Sequence, residues 1–205
     1  MTYNIQRKQI ICAVLALLIS ASVTGVFATE VKAVRLQEKM AGEVFRFHVL
    51  ANSDSKEDQA LKMQVKEVVI SYMKEELPNS ESVEMTKSWA KSHLREIEEL
   101  AKETLEKEGC YDSVSAKVTN CYFPEKTYGD ITFPKGDYDA LRIEIGRAKG
   151  QNWWCVLYPN LCFIDAVKAV VPEEGKEELK EVLDEEEYEM VTAMSKFKIK
   201  WFFFR

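Results

Sequence analysis

The sequence predicts an α+β domain in which an antiparallel helix pair packs on a mainly antiparallel sheet, preceded by an N-terminal signal segment. Three observations carry this. Apolar residues recur at helical spacing between residues 60 and 105, apolar and polar residues alternate in several short runs after residue 114, and a short apolar run with a basic flank opens the chain.

In order along the chain, Arg7 and Lys8 precede the apolar run Ile10–Ile19, and a small, polar stretch follows to Ala28. That is the pattern of a secretory signal, with an uncleaved anchor over residues 10–28 as the alternative. On either reading residues 1–28 stand apart, and residues 29–205 form a single exported α+β domain. VFRFHVL at 44–50 reads as a strand, with Arg46, His48 and Leu50 on one face. Ser55-Lys56-Glu57-Asp58 is a helix-start signature, and Ala60, Leu61, Val65, Val68, Val69 and Tyr72 then place a helix over about 55–76. A second helix is expected over about 82–108, with Met85, Trp89, His93, Ile97, Leu100, Thr104 and Leu105 as its stripe and Gly109 as its stop.

Beyond Gly109 the period changes. Val114, Ala116 and Val118 alternate with polar residues, as do Leu141, Ile143 and Ile145, and both runs read as half-buried strands. Trp153–Tyr158 is a further strand, and residues 174–183 a short acidic helix. The terminal KFKIKWFFFR (196–205) reads as a last strand, with a membrane-interface tail as the alternative. Residues 10–28 and 196–205 are therefore the two places where the chain could approach a membrane.

Composition narrows the function classes. The 205 residues are 46% hydrophobic and 30% charged with net charge −6, ordinary for a globular protein with a real core. Removing residues 1–28 takes away two cations and no acid, leaving −8, and the stretch 173–189 alone holds ten acids against Lys176 and Lys180. The rest is neutral, which argues against nucleic acid as partner. The acidic stretch reads first as a solvated helix face, second as a docking surface for a basic partner.

Catalytic motifs are missing: there is no phosphate-cradling glycine loop, dinucleotide fingerprint, zinc-protease helix or nucleophile elbow. His93 falls on an apolar helix face. His48, close to Asp54, is the better candidate for chemistry, and an exported cell-wall or lipid hydrolase using His48 and Asp54, or Asp130, is the rival reading. Ala51-Asn52-Ser53-Asp54 more simply makes a turn and cap. Nothing calls for a cofactor.

Four cysteines lie in the exported part, Cys110, Cys121, Cys155 and Cys162, an even number at spacings unlike a structural zinc site. A hairpin with loop Leu157–Asn160 would set Cys155 opposite Cys162, within disulfide reach. Cys110 and Cys121 are a second candidate pair. The alternative is that all four pack as small apolar thiols.

RFHVLANSDSKEDQALKMQVKEVV (46–69), FPEKTYGD (123–130), FPKGDYDALRIEIG (133–146) and KGQNWWCVLYPNLCFID (149–165) together resemble the stage II sporulation protein R family. The EEEYE of 185–189 is similar as well, whereas Cys110 and Cys121 fall outside these segments. The resemblance implies a signalling protein and not an enzyme. It would be made in the forespore, secreted into the space between the two membranes, and would trigger a membrane-embedded aspartic protease of the mother cell that processes pro-sigma-E. Trp153 and Trp154 are the candidate anchors for that partner, because tryptophan is enriched at binding hot spots. At most one of the two is expected in the core with the other exposed, since neighbours in a strand point to opposite faces, the alternative being that both are buried against core or loop. Arg46, Asn52 and Asp54 are secondary candidates.

Overall fold

The computed structural model describes residue 20 and residues 30–77, 82–163 and 171–193. The expected signal core and the terminal KFKIKWFFFR lie outside the described residues. Two compact units are distinguished, Met1–Gln37 and Glu38–Arg205, and the sheet belongs to the second. No described helix is long and apolar enough to cross a membrane.

The elements are α1 (residues 30–43), β1 (Phe45–Leu50), α2 (Lys56–Glu76), α3 (Val83–Ser92), α4 (Leu94–Lys107), β2 (Val114–Phe123), β3 (Lys126–Tyr128), β4 (Ile131–Phe133), β5 (Gly136–Ile145), β6 (Asn152–Tyr158), a 3₁₀ turn (Leu161–Phe163), α5 (Glu173–Val182) and α6 (residues 185–193). The main sheet runs β2-β5-β1-β6, with β3 and β4 as a separate two-stranded hairpin. β1 is parallel to β5, while the β1–β6 and β2–β5 pairs are antiparallel. The class is α+β with a mixed, mainly antiparallel sheet, as the residue patterns predict.

Local chemistry explains the helix ends. The Ser55 hydroxyl accepts a hydrogen bond from the Asp58 amide at 3.0 Å, and Glu57 and Asp58 sit in the first turn of α2, where the helix dipole favours acids. Val65, Val69 and Met73, four residues apart, form its fully buried stripe. The helix expected over 82–108 is two helices instead. At His93 the backbone leaves helical geometry (φ −109°, ψ 14°). The Trp89 carbonyl there receives the Ser92 hydroxyl at 2.8 Å, and the His93 ring nitrogen Nδ1 lies 2.8 Å from the same oxygen. Side chains that compete for a helical carbonyl bend helices in this way. The His93 ring also stacks on Trp89 with centroids 4.3 Å apart. Met85, expected in the stripe, is exposed, and Thr86, Lys87, Ala90, Ile97, Ala101, Thr104 and Leu105 are the buried positions.

Both faces of the sheet are covered along β1, which is why β1 is buried at every residue. Phe45, Phe47 and Val49 pack with Leu141, Ile143 and Ile145 under α2–α4. On the opposite face Val156, Ala140 and Phe123 join Ile131 and Phe133 of the small hairpin, Met40 of α1, Leu179 of α5 and Val191 of α6. The hairpin was not legible in the sequence, because three residues per strand give no period to read.

The turn after β1 clasps the connection between β5 and β6. The Asn52 side-chain carbonyl accepts from the Arg147 amide at 3.1 Å, the Asp54 carboxylate accepts from the Gln151 amide at 2.7 Å, and the Gly150 amide donates to the Ala51 carbonyl at 2.9 Å. The backbones approach so closely that a Cβ on Gly150 would overlap the Ser53 carbonyl oxygen. Gly150→Ala is accordingly expected to lower stability by about 2 kcal/mol, since backbone must move to admit it. An unchanged urea midpoint would show that the clasp yields freely.

Candidate functional site

The sheet face opposite α2–α4 carries the polar residues of β1. Arg46 is 0% exposed and His48 1% exposed. Because β1 is central, their side chains cannot reach water by leaning past an edge, and the surrounding elements must accommodate them.

Arg46 sits in a box of aromatic rings. Its guanidinium carbon is 4.5 Å from the Phe123 centroid, 5.0 Å from Tyr138, 5.2 Å from Phe133 and 5.9 Å from Tyr128. Nε donates to the Cys155 carbonyl at 3.1 Å and Nη2 to the Tyr128 hydroxyl at 3.0 Å, while Nη1 is buried with no hydrogen-bond partner among the described residues. The ring faces supply the negative potential that a carboxylate would otherwise give. Burial pushes the Tyr128 hydroxyl well above its ordinary range, the nearby guanidinium opposing, so the phenol stays protonated.

His48 lies in the next row. In register its neighbours are Arg142 of β5 and Trp154 of β6, with Lys117 of β2 beyond Arg142. The imidazole stacks on Trp154 at 4.9 Å and leans on Phe123 at 5.0 Å. Nε2 is 3.6 Å from the Cys121 sulfur, and Nδ1 is buried without a partner. Burial first, and the positive Arg142 second, lower its pKa to about 3. His48 is a neutral ring at physiological pH.

The hydrolytic arrangement is not assembled. His48 faces Cys121 and Trp154, whereas the Asp54 carboxylate is taken by the Gln151 amide at the end of the sheet. Asp130 is likewise occupied, by the Val171 amide and the Lys176 ammonium, both at 2.9 Å. Among the described residues no group of His, Cys, Asp and Glu is placed to hold a metal ion.

Trp153 and Trp154 do point to opposite faces, but neither is wholly core or wholly exposed. Trp153 packs edge-on against Phe47 at 5.6 Å with the Lys66 ammonium 5.3 Å from its ring. Trp154 lies between His48 and Phe123, with the Lys126 ammonium 5.7 Å from its ring. Both are half-buried on β6, which is an edge of the sheet among the described residues. Beside Trp154 the sheet face stays partly open, with Arg142 and Lys117 both paired to Glu144, at 2.6 and 2.9 Å. The lysines on the two tryptophans and the Arg142–Glu144–Lys117 group were not singled out from the sequence. The register of β2, β5, β1 and β6 sets Lys117, Arg142, His48 and Trp154 in one row, while Lys66 reaches Trp153 from α2 and Lys126 reaches Trp154 from β3.

The cysteines fall differently from the expectation. The chain does not form a hairpin with loop Leu157–Asn160: β6 continues to Tyr158, and a 3₁₀ turn at Leu161–Phe163 follows a cis Tyr158–Pro159 bond. Cys155 and Cys162 still come together as free thiols, Cys155 buried and Cys162 half-buried, with the Cys155 thiol donating to the Val156 carbonyl at 3.7 Å. Cys110 and Cys121 are not brought together, because Cys110 packs on the α2–α4 side of the sheet and Cys121 on the other.

Residues 41–168 match the family described as Stage II sporulation protein R (spore_II_R). A relative, the Stage II sporulation protein R of Bacillus subtilis (strain 168), is 37% identical over 176 residues, which covers 84% of this chain and 79% of the relative. No solved structure matches. The matched span contains every strand of the sheet, the Asn52 clasp and both tryptophans. On a match of that extent, the chain belongs to the stage II sporulation protein R family and so to the sporulation apparatus.

Proposed function

We propose that this protein is an exported signal that passes between the two compartments of a sporulating cell. Made in the forespore and secreted into the intermembrane space, it binds a membrane-embedded aspartic protease of the mother cell and thereby starts the processing of pro-sigma-E. Family membership supports the sporulation role. The observation that favours action by binding is the use made of the polar residues: Arg46 and His48 are enclosed among aromatic rings, while Trp153 and Trp154 remain half-exposed on an edge strand, each with a lysine over its ring. Half-buried tryptophans held by their neighbours are rigid anchors for a partner.

An extracytoplasmic ligand activates a membrane protease only by binding its active state better than its resting state. On this reading the β6 edge and the open sheet face beside Trp154 meet the outward-facing part of the protease. Asn52 and Asp54 act indirectly, by clasping the segment that leads into β6.

The test reconstitutes this protein, the candidate protease and the pro-sigma factor in a non-sporulating host. Processing is expected only when all three are present, and processing that proceeds equally well without this protein overturns the proposal. In the same assay Trp153→Ala and Trp154→Ala are each expected to weaken activation by roughly 30-fold, the size of a hot-spot truncation near 2 kcal/mol. A variant that is exported, folded by circular dichroism and fully active removes that tryptophan from the interface.

A further inference from the structure

We propose that Cys155 and Cys162 form a disulfide, and that it closes as the chain folds and not on the finished fold. The juxtaposition is specific. Cys155 is 4% exposed on the edge strand, and the turn at Leu161–Phe163 returns Cys162 to its sulfur. Arg46 braces the same spot, with Nε on the Cys155 carbonyl at 3.1 Å and its charge acting on the Cys162 thiol. Among the exported cysteines this is the pair the fold joins, Cys110 and Cys121 being separated by the sheet.

Enclosure sets the order of events. An oxidant must reach one sulfur and find it as thiolate, the reactive form. In the fold Cys155, 4% exposed, lies out of an oxidant's reach, and burial, with the adjoining Cys155, pushes the Cys162 thiol well above its ordinary range, so that thiol is a poor nucleophile. In the unfolded chain both thiols are open and ordinary. The oxidant is a disulfide, carried by an extracytoplasmic thiol oxidoreductase or by a small molecule. One cysteine thiolate attacks the donor disulfide and releases the first donor thiol. The second cysteine then displaces the other donor thiol from the mixed disulfide. Two protein thiols are oxidised, one donor disulfide is reduced, and both protons end on the donor thiols.

The crosslink ties the turn to the strand that carries Trp153 and Trp154. Closing so short a loop shifts the folding equilibrium by roughly 60-fold toward the folded state in the chain-entropy account. Formation in the cell rests on the export proposed above, whereas formation in the test tube does not, and this separates the two ideas.

The experiment takes the full-length chain in mild detergent, unfolds and reduces it, and refolds it in a buffer of reduced and oxidised glutathione. Alkylation and non-reducing peptide mapping are expected to show a peptide joining Cys155 to Cys162, with Cys12, Cys110 and Cys121 alkylated. The Cys110→Ser/Cys121→Ser double variant is expected to give the same map. Protein refolded first under reductant and then given the same oxidised glutathione should acquire the bond at least roughly tenfold more slowly, because Cys155 is buried and the Cys162 thiol is held protonated. Free thiols at positions 155 and 162 after oxidative refolding overturn the disulfide, and equal rates from the folded and unfolded protein overturn the order of events. A chain that crosslinks in glutathione but is trapped as free thiols in sporulating cells counts against the export reading instead.

Discussion

Arg46→Ala is expected to destabilise the protein by about 4 kcal/mol, close to the largest effect a single truncation produces. The substitution empties a box formed by Phe123, Tyr128, Phe133 and Tyr138 and strips the donor from the Cys155 carbonyl and the Tyr128 hydroxyl. Arg46→Met should cost far less, about 1 kcal/mol, because it refills most of the volume and no longer buries a charge. Among the described residues Arg46 makes no ion pair with an acid, and its Nη1 has no hydrogen bond. Among the described residues its desolvation is offset by ring faces and two neutral acceptors. Urea unfolding of the two variants decides the matter. If methionine is as damaging as alanine, the charge itself is needed, and the box is a polar device in place of a filled cavity.

The second large effect is a dependence on pH owed to one side chain. His48 in the folded protein has its pKa lowered to about 3 by burial and by the positive charge of Arg142, against about 6.5 in the unfolded chain. Between those values the unfolded chain binds a proton that the folded one refuses. His48 stability is therefore fully present above pH 6.5 and lost as pH falls toward 3. From pH 7 to pH 4 the contribution is about 3 kcal/mol. Charged and titratable groups around the ring come from three strands, Arg46 on β1, Cys121 and Lys117 on β2, and Arg142 and Glu144 on β5. Glu144 opposes the shift. His48→Phe keeps a flat ring between Trp154 and Phe123 and should flatten the stability profile by that amount over the same range. Identical slopes in the two proteins would show that His48 is charged in the fold after all.

Much of this fold could be read from the sequence wherever the signal is local. Ser55 and Asp58 announce the start of α2, alternation marks β2 and β5, and period two places Arg46 with His48 on one face of β1. The features that escaped reading are those decided at a distance. The break at His93 depends on Ser92 and the imidazole competing for the Trp89 carbonyl, against a stripe that favours a continuous helix. Parallel pairing of β1 with β5 has no turn between its partners to announce it. For the candidate site, the tryptophans were visible as residue types. Their half-burial was not, because it depends on Lys66 arriving from α2 and Lys126 from the small hairpin. The meeting of Cys155 and Cys162 was expected from a hairpin and is achieved by a 3₁₀ turn.

The central position of β1 has a consequence for how the molecule comes into being. Arg46 must await the Cys155 carbonyl, 109 positions further along the chain, and the parallel neighbour β5 is scarcely earlier. Neither edge of the first strand can be satisfied by anything nearby, so the entropy of closing a very long loop is spent before the sheet repays it. A chain emerging amino end first thus presents α2, α3 and α4 as an incomplete layer until about three quarters of its length has emerged. Such a chain becomes committed to its native form only when β6 has emerged.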